Sequence, residues 1–82
     1  MLDENILQEI KKACSMVFDC DIESIHVNTK KDDIDEWDSM HHLMLMAELE
    51  EAFSIRFTTK EISSLDSVDR LLTAIVDKVG VE

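Results

Sequence analysis

Proline is absent from this 82-residue sequence, and Gly80 is its only glycine. These two residue types supply most tight turns, because proline fixes φ and glycine tolerates positive φ. Their scarcity argues against a protein built from short hairpins or from the many turns of a β-sandwich. Helices are therefore the predicted elements.

Cysteine is also scarce, and the sequence has no long apolar run. Cys14 and Cys20 are the only cysteines and lack CxxC spacing, so they are predicted to be small core residues rather than metal ligands or a disulfide. No signal segment and no span of about 18 apolar residues is present. We therefore expect a reduced, cytoplasmic protein that does not insert into a membrane.

Basic residues are outnumbered by acidic ones, 8 to 19, which gives a formal net charge of −11. Such a chain is repelled by nucleic acid and by anionic membranes, so basic protein surfaces are the expected partners. The imbalance is greatest between Asp32 and Ile55, where no lysine or arginine occurs. The acidic residues of that segment are Asp32, Asp33, Asp35, Glu36, Asp38, Glu48, Glu50 and Glu51. They indicate a docking surface, with solubility as the simpler explanation.

The apolar fraction of 45% is sufficient for a compact core, and the length suits one domain over residues 1–82. Apolar residues at spacings of three and four predict four helices. These run from Asp3 to Phe18, from Ser39 to Phe53, briefly from near Thr59, where Thr58 and Glu61 have the spacing of a capping box, and from just after Asp66 or Ser67 to a stop at Gly80. The predicted fold is all-α: a small bundle of three main helices and a minor one. A long loop over residues 19–37, pinned by its scattered isoleucine, valine and tryptophan side chains, joins the first two helices.

The second predicted helix carries apolar residues on two sides. Leu45, Leu49, Ala52 and Phe53 form a core stripe. A second stripe is rotated away from it and is flanked by Glu48, Glu50 and Glu51; its members are Met40, Leu43, Met44 and Ala47. Such a helix is either buried on both sides or exposes one side to a partner. We interpret the second stripe as a docking surface; the alternative is that Met44 and Met46 fill the core.

Asp38 and Ser39 both stand where the second helix begins. Either residue is a preferred N-cap, and an Asp-Ser pair before a helix is commonly no more than that. Neither choice places Glu or Gln at the third helical position, so a capping box is not formed. Capping therefore accounts for one of the two residues and leaves the other free for a second role.

Three other kinds of site fit the residues poorly. A catalytic triad of Ser39, His42 and Asp38 lacks a glycine-rich elbow and an evident oxyanion hole. Zinc binding is disfavoured because His41 and His42 project about 100° apart on a helix; both are predicted to be surface or partner-facing imidazoles. A calcium loop beginning at Asp33 would need a ligand where Trp37 stands. No catalytic and no metal-binding residue is predicted.

The segment WDSMHHLMLMAELEEAF, followed by SIRF, TTKEISSL and DSVDRLLTAI, resembles the acyl carrier protein and peptidyl carrier protein family. The likeness covers nearly the whole chain. An Asp-Ser-hydrophobic motif is weak alone but specific in this order and spacing. Met40 stands where the family usually has leucine, a nearly isosteric change.

The resemblance implies that Ser39 accepts 4′-phosphopantetheine from coenzyme A through a separate phosphopantetheinyl transferase. The arm would hold an acyl or aminoacyl cargo as a thioester and deliver it to partner enzymes. The chain would then be a monomer and not itself an enzyme. Its partners would be loading ligases, acyltransferases and synthases with basic docking patches. Asp38, with the second stripe and its flanking acids, would serve as the docking surface.

The sequence Glu36-Trp37-Asp38 departs from that of fatty-acid carriers, which usually have a glycine two residues before the Asp-Ser pair. It is similar to freestanding carriers of specialised pathways, such as polyketide or nonribosomal assembly, surface polysaccharide modification and alanine loading. The residues leave one alternative open, an unmodified acidic helical adaptor that binds a basic partner. Ser39 is what separates the two.

Overall fold

The computed structural model describes residues 2–79. Over this range the chain forms four α-helices and no strand: α1 (Leu2–Phe18), α2 (Ser39–Phe53), α3 (Thr59–Ser64) and α4 (Val68–Val79). The predicted all-α bundle is confirmed, and α2 begins and ends at the predicted residues. The predicted stop at Gly80 lies outside the described residues.

The shortage of glycine is visible where α1 and α2 end. Asp19 follows α1 with φ of 54°, and Ser54 follows α2 with φ of 55°. This left-handed conformation is the one that glycine usually supplies after a helix. Both residues therefore hold a conformation that costs a non-glycine residue roughly 1 kcal/mol or more, with aspartate better suited to it than most.

The predicted long loop contains two short 3₁₀ turns, Ile22–Ser24 and Lys31–Asp33. An isolated β-bridge between Lys30 and Ser67 fastens it to the start of α4, through the Lys31 N–H to the Asp66 carbonyl at 2.8 Å and the Val68 N–H to the Thr29 carbonyl at 2.9 Å.

Side chains also pin the loop, as predicted, although not all of the expected ones take part. Ile25 and Trp37 are buried, and Ile34 packs partly against the core. Val27 is 42% exposed, so the prediction is wrong for that residue.

The core lies between α1, α2 and α4, and the loop residues Ile25 and Trp37 belong to it. Its fully buried side chains are Ile10, Cys14, Phe18, Ile25, Leu45, Met46, Leu49, Val68, Leu71 and Ile75. Burial raises the pKa of the Cys14 thiol to about 12, with a further contribution from the nearby Cys20. Cys14 therefore behaves as the small core residue that the sequence predicts, and both cysteines are free thiols.

The short α3 is held at its start. The Thr58 hydroxyl oxygen accepts a hydrogen bond from the Glu61 N–H, and the Glu61 carboxylate accepts one from the Thr58 N–H, which confirms that these two residues form a capping box. Lys78 of α4 pairs with Glu61 at 2.9 Å and lies 5.7 Å from the centre of the Phe57 ring. These contacts join α3 to the end of α4. No helix within residues 2–79 combines the length and apolar character needed to cross a membrane.

Candidate functional site

Asp38 is the N-cap of α2. Its Oδ1 accepts hydrogen bonds from the His41 backbone N–H at 2.9 Å and from the His41 ring Nδ1 at 2.8 Å. The backbone bond, followed by the ring, holds the pKa of the Asp38 carboxyl below its ordinary value. An ionised carboxylate only accepts hydrogen bonds, so the His41 Nδ1 carries its proton.

Ser39 is the first residue of α2 and is exposed. Because Asp38 performs the capping, the Ser39 side chain is not needed for it, and no hydrogen bond of its hydroxyl occurs among residues 2–79. The backbone N–H groups of Ser39 and Met40 are likewise without partners in that part of the chain. A helix start with unpaired N–H groups favours a negatively charged group, through those donors and the helix dipole.

The predicted second stripe forms the exposed outer face of α2 and is the outer stripe of this helix. Met40 is 69%, Leu43 58% and Met44 49% exposed, and Ala47 is exposed beside them. Met40 directly follows Ser39, and Leu43 follows it by four residues, so the stripe starts beside the hydroxyl and continues one turn along the helix. The alternative of a core-filling methionine holds for Met46, which is 2% exposed, and not for Met44.

The flanking acids of α2 are not equivalent. Glu51 is exposed, while Glu48 and Glu50 are half-buried. The Oε2 atom of Glu50 accepts a hydrogen bond from the Phe57 backbone N–H at 2.8 Å, which ties the segment after α2 back to the helix. Glu50 therefore has a local structural role, whereas Glu51 presents its charge beside the stripe.

The inner face of α2 differs from the prediction at two residues. Ala52 is exposed, so its assignment to the core stripe is wrong. The buried face is centred near His42 and Leu49, and at about 100° per residue Ala52 lies at its margin.

His42 is 9% exposed, so its prediction as a surface or partner-facing imidazole is wrong. It bonds to the Trp37 ring nitrogen and faces the Ile62 carbonyl. The signal available in the sequence is the pairing of two hydrogen-bonding rings, Trp37 and His42, on either side of the cap.

The Asp38 cap predicts a dependence on pH. A carboxyl whose pKa is lowered in the folded state adds stability that is fully present above its unfolded pKa of about 4 and is lost as pH falls through the folded value. Asparagine keeps the capping geometry without the charge. The difference in thermal midpoint between the wild type and Asp38→Asn should therefore shrink between about pH 5 and pH 2. Comparison with the variant cancels the effect of the other carboxyls, and a constant difference over that range would contradict the role of the charge.

The histidine, cysteine and acidic side chains of residues 2–79 include no group of three or more placed to hold a metal ion. The site thus consists of the exposed hydroxyl of Ser39, the ionised carboxylate of Asp38 that caps α2, and the apolar stripe with acidic residues beside it. Comparison of the chain with protein-family models and with curated proteins found no match in either case.

Proposed function

We propose that the chain is an acyl or aminoacyl carrier protein that bears 4′-phosphopantetheine on Ser39. The observation that carries the proposal is the exposure of Ser39 at the first turn of α2 while Asp38 performs the capping. A hydroxyl in that position is free to form a phosphodiester. The unpaired N–H groups of Ser39 and Met40 suit the phosphate that would result.

The surroundings of Ser39 support delivery to other proteins rather than chemistry by the chain itself. Exposed carboxylates of Asp35, Glu36 and Asp38 precede the hydroxyl, and no lysine or arginine lies between Asp32 and Ile55. These charges oppose the phosphate of the arm but attract enzymes with basic docking patches, such as a transferase or a loading ligase. The methionine-rich stripe beside them suits contacts with several partners, because methionine side chains repack readily.

The proposal extends to the setting in which the carrier works. The free thiols of Cys14 and Cys20 fit a reducing, cytoplasmic compartment. The Trp37-Asp38-Ser39 motif favours a specialised biosynthetic pathway over housekeeping fatty acid synthesis. The carrier would act as a monomer, since the stripe on α2 is kept for visiting enzymes.

Intact mass spectrometry tests the proposal. The purified chain is incubated with coenzyme A, magnesium and a broad-specificity phosphopantetheinyl transferase. We expect one phosphopantetheine adduct on the wild type and none on Ser39→Ala. The matched control is Ser63→Ala, which removes another exposed helical serine hydroxyl and should leave the adduct in place. An unmodified wild type, in a reaction that modifies an established carrier, would refute the proposal, as would an adduct that persists in Ser39→Ala.

A second candidate function is supported by the outer stripe of α2, because an exposed apolar surface with an acidic border also fits an adaptor that binds a basic partner without modification. The same experiment separates the two. An adaptor keeps its unmodified mass, and Ser39→Ala binds its partner as well as the wild type does.

A further inference from the structure

His42 is a buried polar residue that the proposed function leaves without a role. It lies one turn after Ser39 and about 60° around α2 from it, toward the core-facing side. Its Nδ1 is 2.9 Å from the Trp37 Nε1, and its Nε2 is 2.6 Å from the carbonyl oxygen of Ile62. The imidazole and indole rings have centroids 6.1 Å apart and are inclined by 27°.

The two partners determine where the proton of His42 lies. An indole N–H can only donate, so Nδ1 must present its lone pair to Trp37. A backbone carbonyl can only accept, so Nε2 carries the proton and donates it to Ile62. The imidazole is therefore neutral, and both of its nitrogens are occupied. Loss of the ring would leave a buried indole N–H and a carbonyl without their partners.

The two hydrogen bonds connect three segments of the chain. Trp37 ends the long loop, His42 belongs to α2, and Ile62 belongs to α3. Trp37 is itself held against α1, with its ring centroid 5.1 Å from that of Phe18. The imidazole thus fixes the end of the loop and the position of α3 relative to the first turn of α2.

Ser39 lies inside the short segment that is closed by the hydrogen bond between the Trp37 and His42 side chains. Trp37 precedes it by two residues and His42 follows it by three, and the Asp38 cap is between them. The backbone N–H of His42 also donates to the Asp38 carbonyl at 2.8 Å. The segment from 37 to 42 is therefore closed both by its backbone and by the bond between the Trp37 and His42 side chains. The exposed hydroxyl of Ser39 therefore belongs to a segment whose two ends are both held in place.

We propose that His42, through Trp37, is a positioning residue that fixes the direction in which Ser39 presents its hydroxyl to the transferase. The inference rests on the proposed function. The His42 side chain is buried on the core-facing side of α2 and does not touch the reacting atoms. Its effect comes from geometry, because a displacement of about 1 Å at a reacting group can slow a reaction roughly a hundredfold.

Two variants test the inference in the transferase reaction. Trp37→Phe keeps an aromatic ring against Phe18 and removes the indole donor together with part of the buried ring, and His42→Phe removes both hydrogen bonds. We expect kcat for modification of Ser39 to fall roughly tenfold or more in each, with little change in KM, because the outer stripe is intact. The control is Ile75→Val, a small truncation of the core in α4. Rates are measured at a temperature where all four proteins are folded.

A second readout does not depend on modification. Trp37 is the only tryptophan, so its indole N–H gives one assignable NMR signal. We expect this proton to exchange slowly in the wild type and faster in His42→Phe. Exchange should also accelerate at the His41 and His42 amides of the first turn, and not at these amides in Ile75→Val.

The outcomes separate the inference from the proposed function. Wild-type kcat in both variants would overturn the inference while leaving Ser39 as the attachment site, as would a loss of rate no greater than in Ile75→Val. An unmodified wild type would refute the proposed function instead. The exchange of the first-turn amides then decides whether His42 orders this segment, and unchanged exchange in His42→Phe would overturn the positioning role.

Discussion

Replacing Leu45 by alanine should lower the free energy of unfolding by about 2–5 kcal/mol, whereas Leu43→Ala should change it by about 0.5 kcal/mol or less. The two leucines are two residues apart on the same helix. Leu45 is 0% exposed and Leu43 is 58% exposed. The substitution removes the same atoms in both cases, so the difference measures which side of α2 holds the fold together.

The larger effect follows from the position of Leu45 in the core between α1, α2 and α4. Truncation removes the transfer free energy of the buried atoms and leaves a cavity that close-packed neighbours fill only in part. A domain of this size has a total stability of roughly 4–12 kcal/mol. Leu45→Ala thus brings the protein near the limit of stable folding.

Urea denaturation followed by the fluorescence of Trp37 provides the measurement. Trp37 is buried, so its emission reports exposure of the core on unfolding. We expect a lower midpoint for Leu45→Ala at an unchanged slope, and a wild-type curve for Leu43→Ala. Equal losses in the two variants would show that both sides of α2 are buried, and the outer stripe could then not serve as a docking surface.

Local signals were sufficient to predict the helices of this protein. Ser39 and Phe53 bound α2 as the apolar period predicts, and the capping box of Thr58 and Glu61 marks the start of α3. These features depend on residues three or four positions apart. The two-sided pattern of α2 also predicted which side is exposed, because a chain this small cannot cover both sides of every helix.

What sequence reasoning missed depends on contacts between distant segments. The burial of His42 requires the Ile62 carbonyl, 20 residues away, to lie beside it. The hydrogen bond from the Phe57 N–H to Glu50 exists because the chain turns back after Ser54. Neither contact has a periodic signature. A polar residue on a helix is predicted to face solvent unless its hydrogen-bond partner in another segment is known.

This distinction bears on how the acidic border of α2 is tested. Charge reversal at Glu50 would remove the acceptor of the Phe57 N–H as well as a surface charge, so a loss of docking there would have two causes. Glu51 is exposed and carries no such bond among the described residues. Glu51→Lys is therefore the variant that examines the charge alone.

The outer stripe should lose its function when a charge is placed on it. We expect Met40→Glu to lower kcat/KM for the transferase by roughly tenfold or more, the effect of removing a well-placed apolar contact from a protein interface. Met16→Glu should leave kcat/KM near the wild-type value. Met40 is 69% exposed on α2 and Met16 is 68% exposed on α1, so neither change should disturb the core. Unfolding curves of both variants should match the wild type within about 0.5 kcal/mol.

The pair of methionines separates contact from overall charge. Each variant adds one negative charge to a chain of net charge −11, so the long-range field changes by the same amount in both. A difference between them then comes from the local contact of Met40 with the partner, and it should persist at high salt, where long-range effects are screened. Equal rates in the two variants would place the docking surface elsewhere on the protein. A difference that disappears in salt would assign the effect to charge, and the apolar stripe would lose its role in recognition.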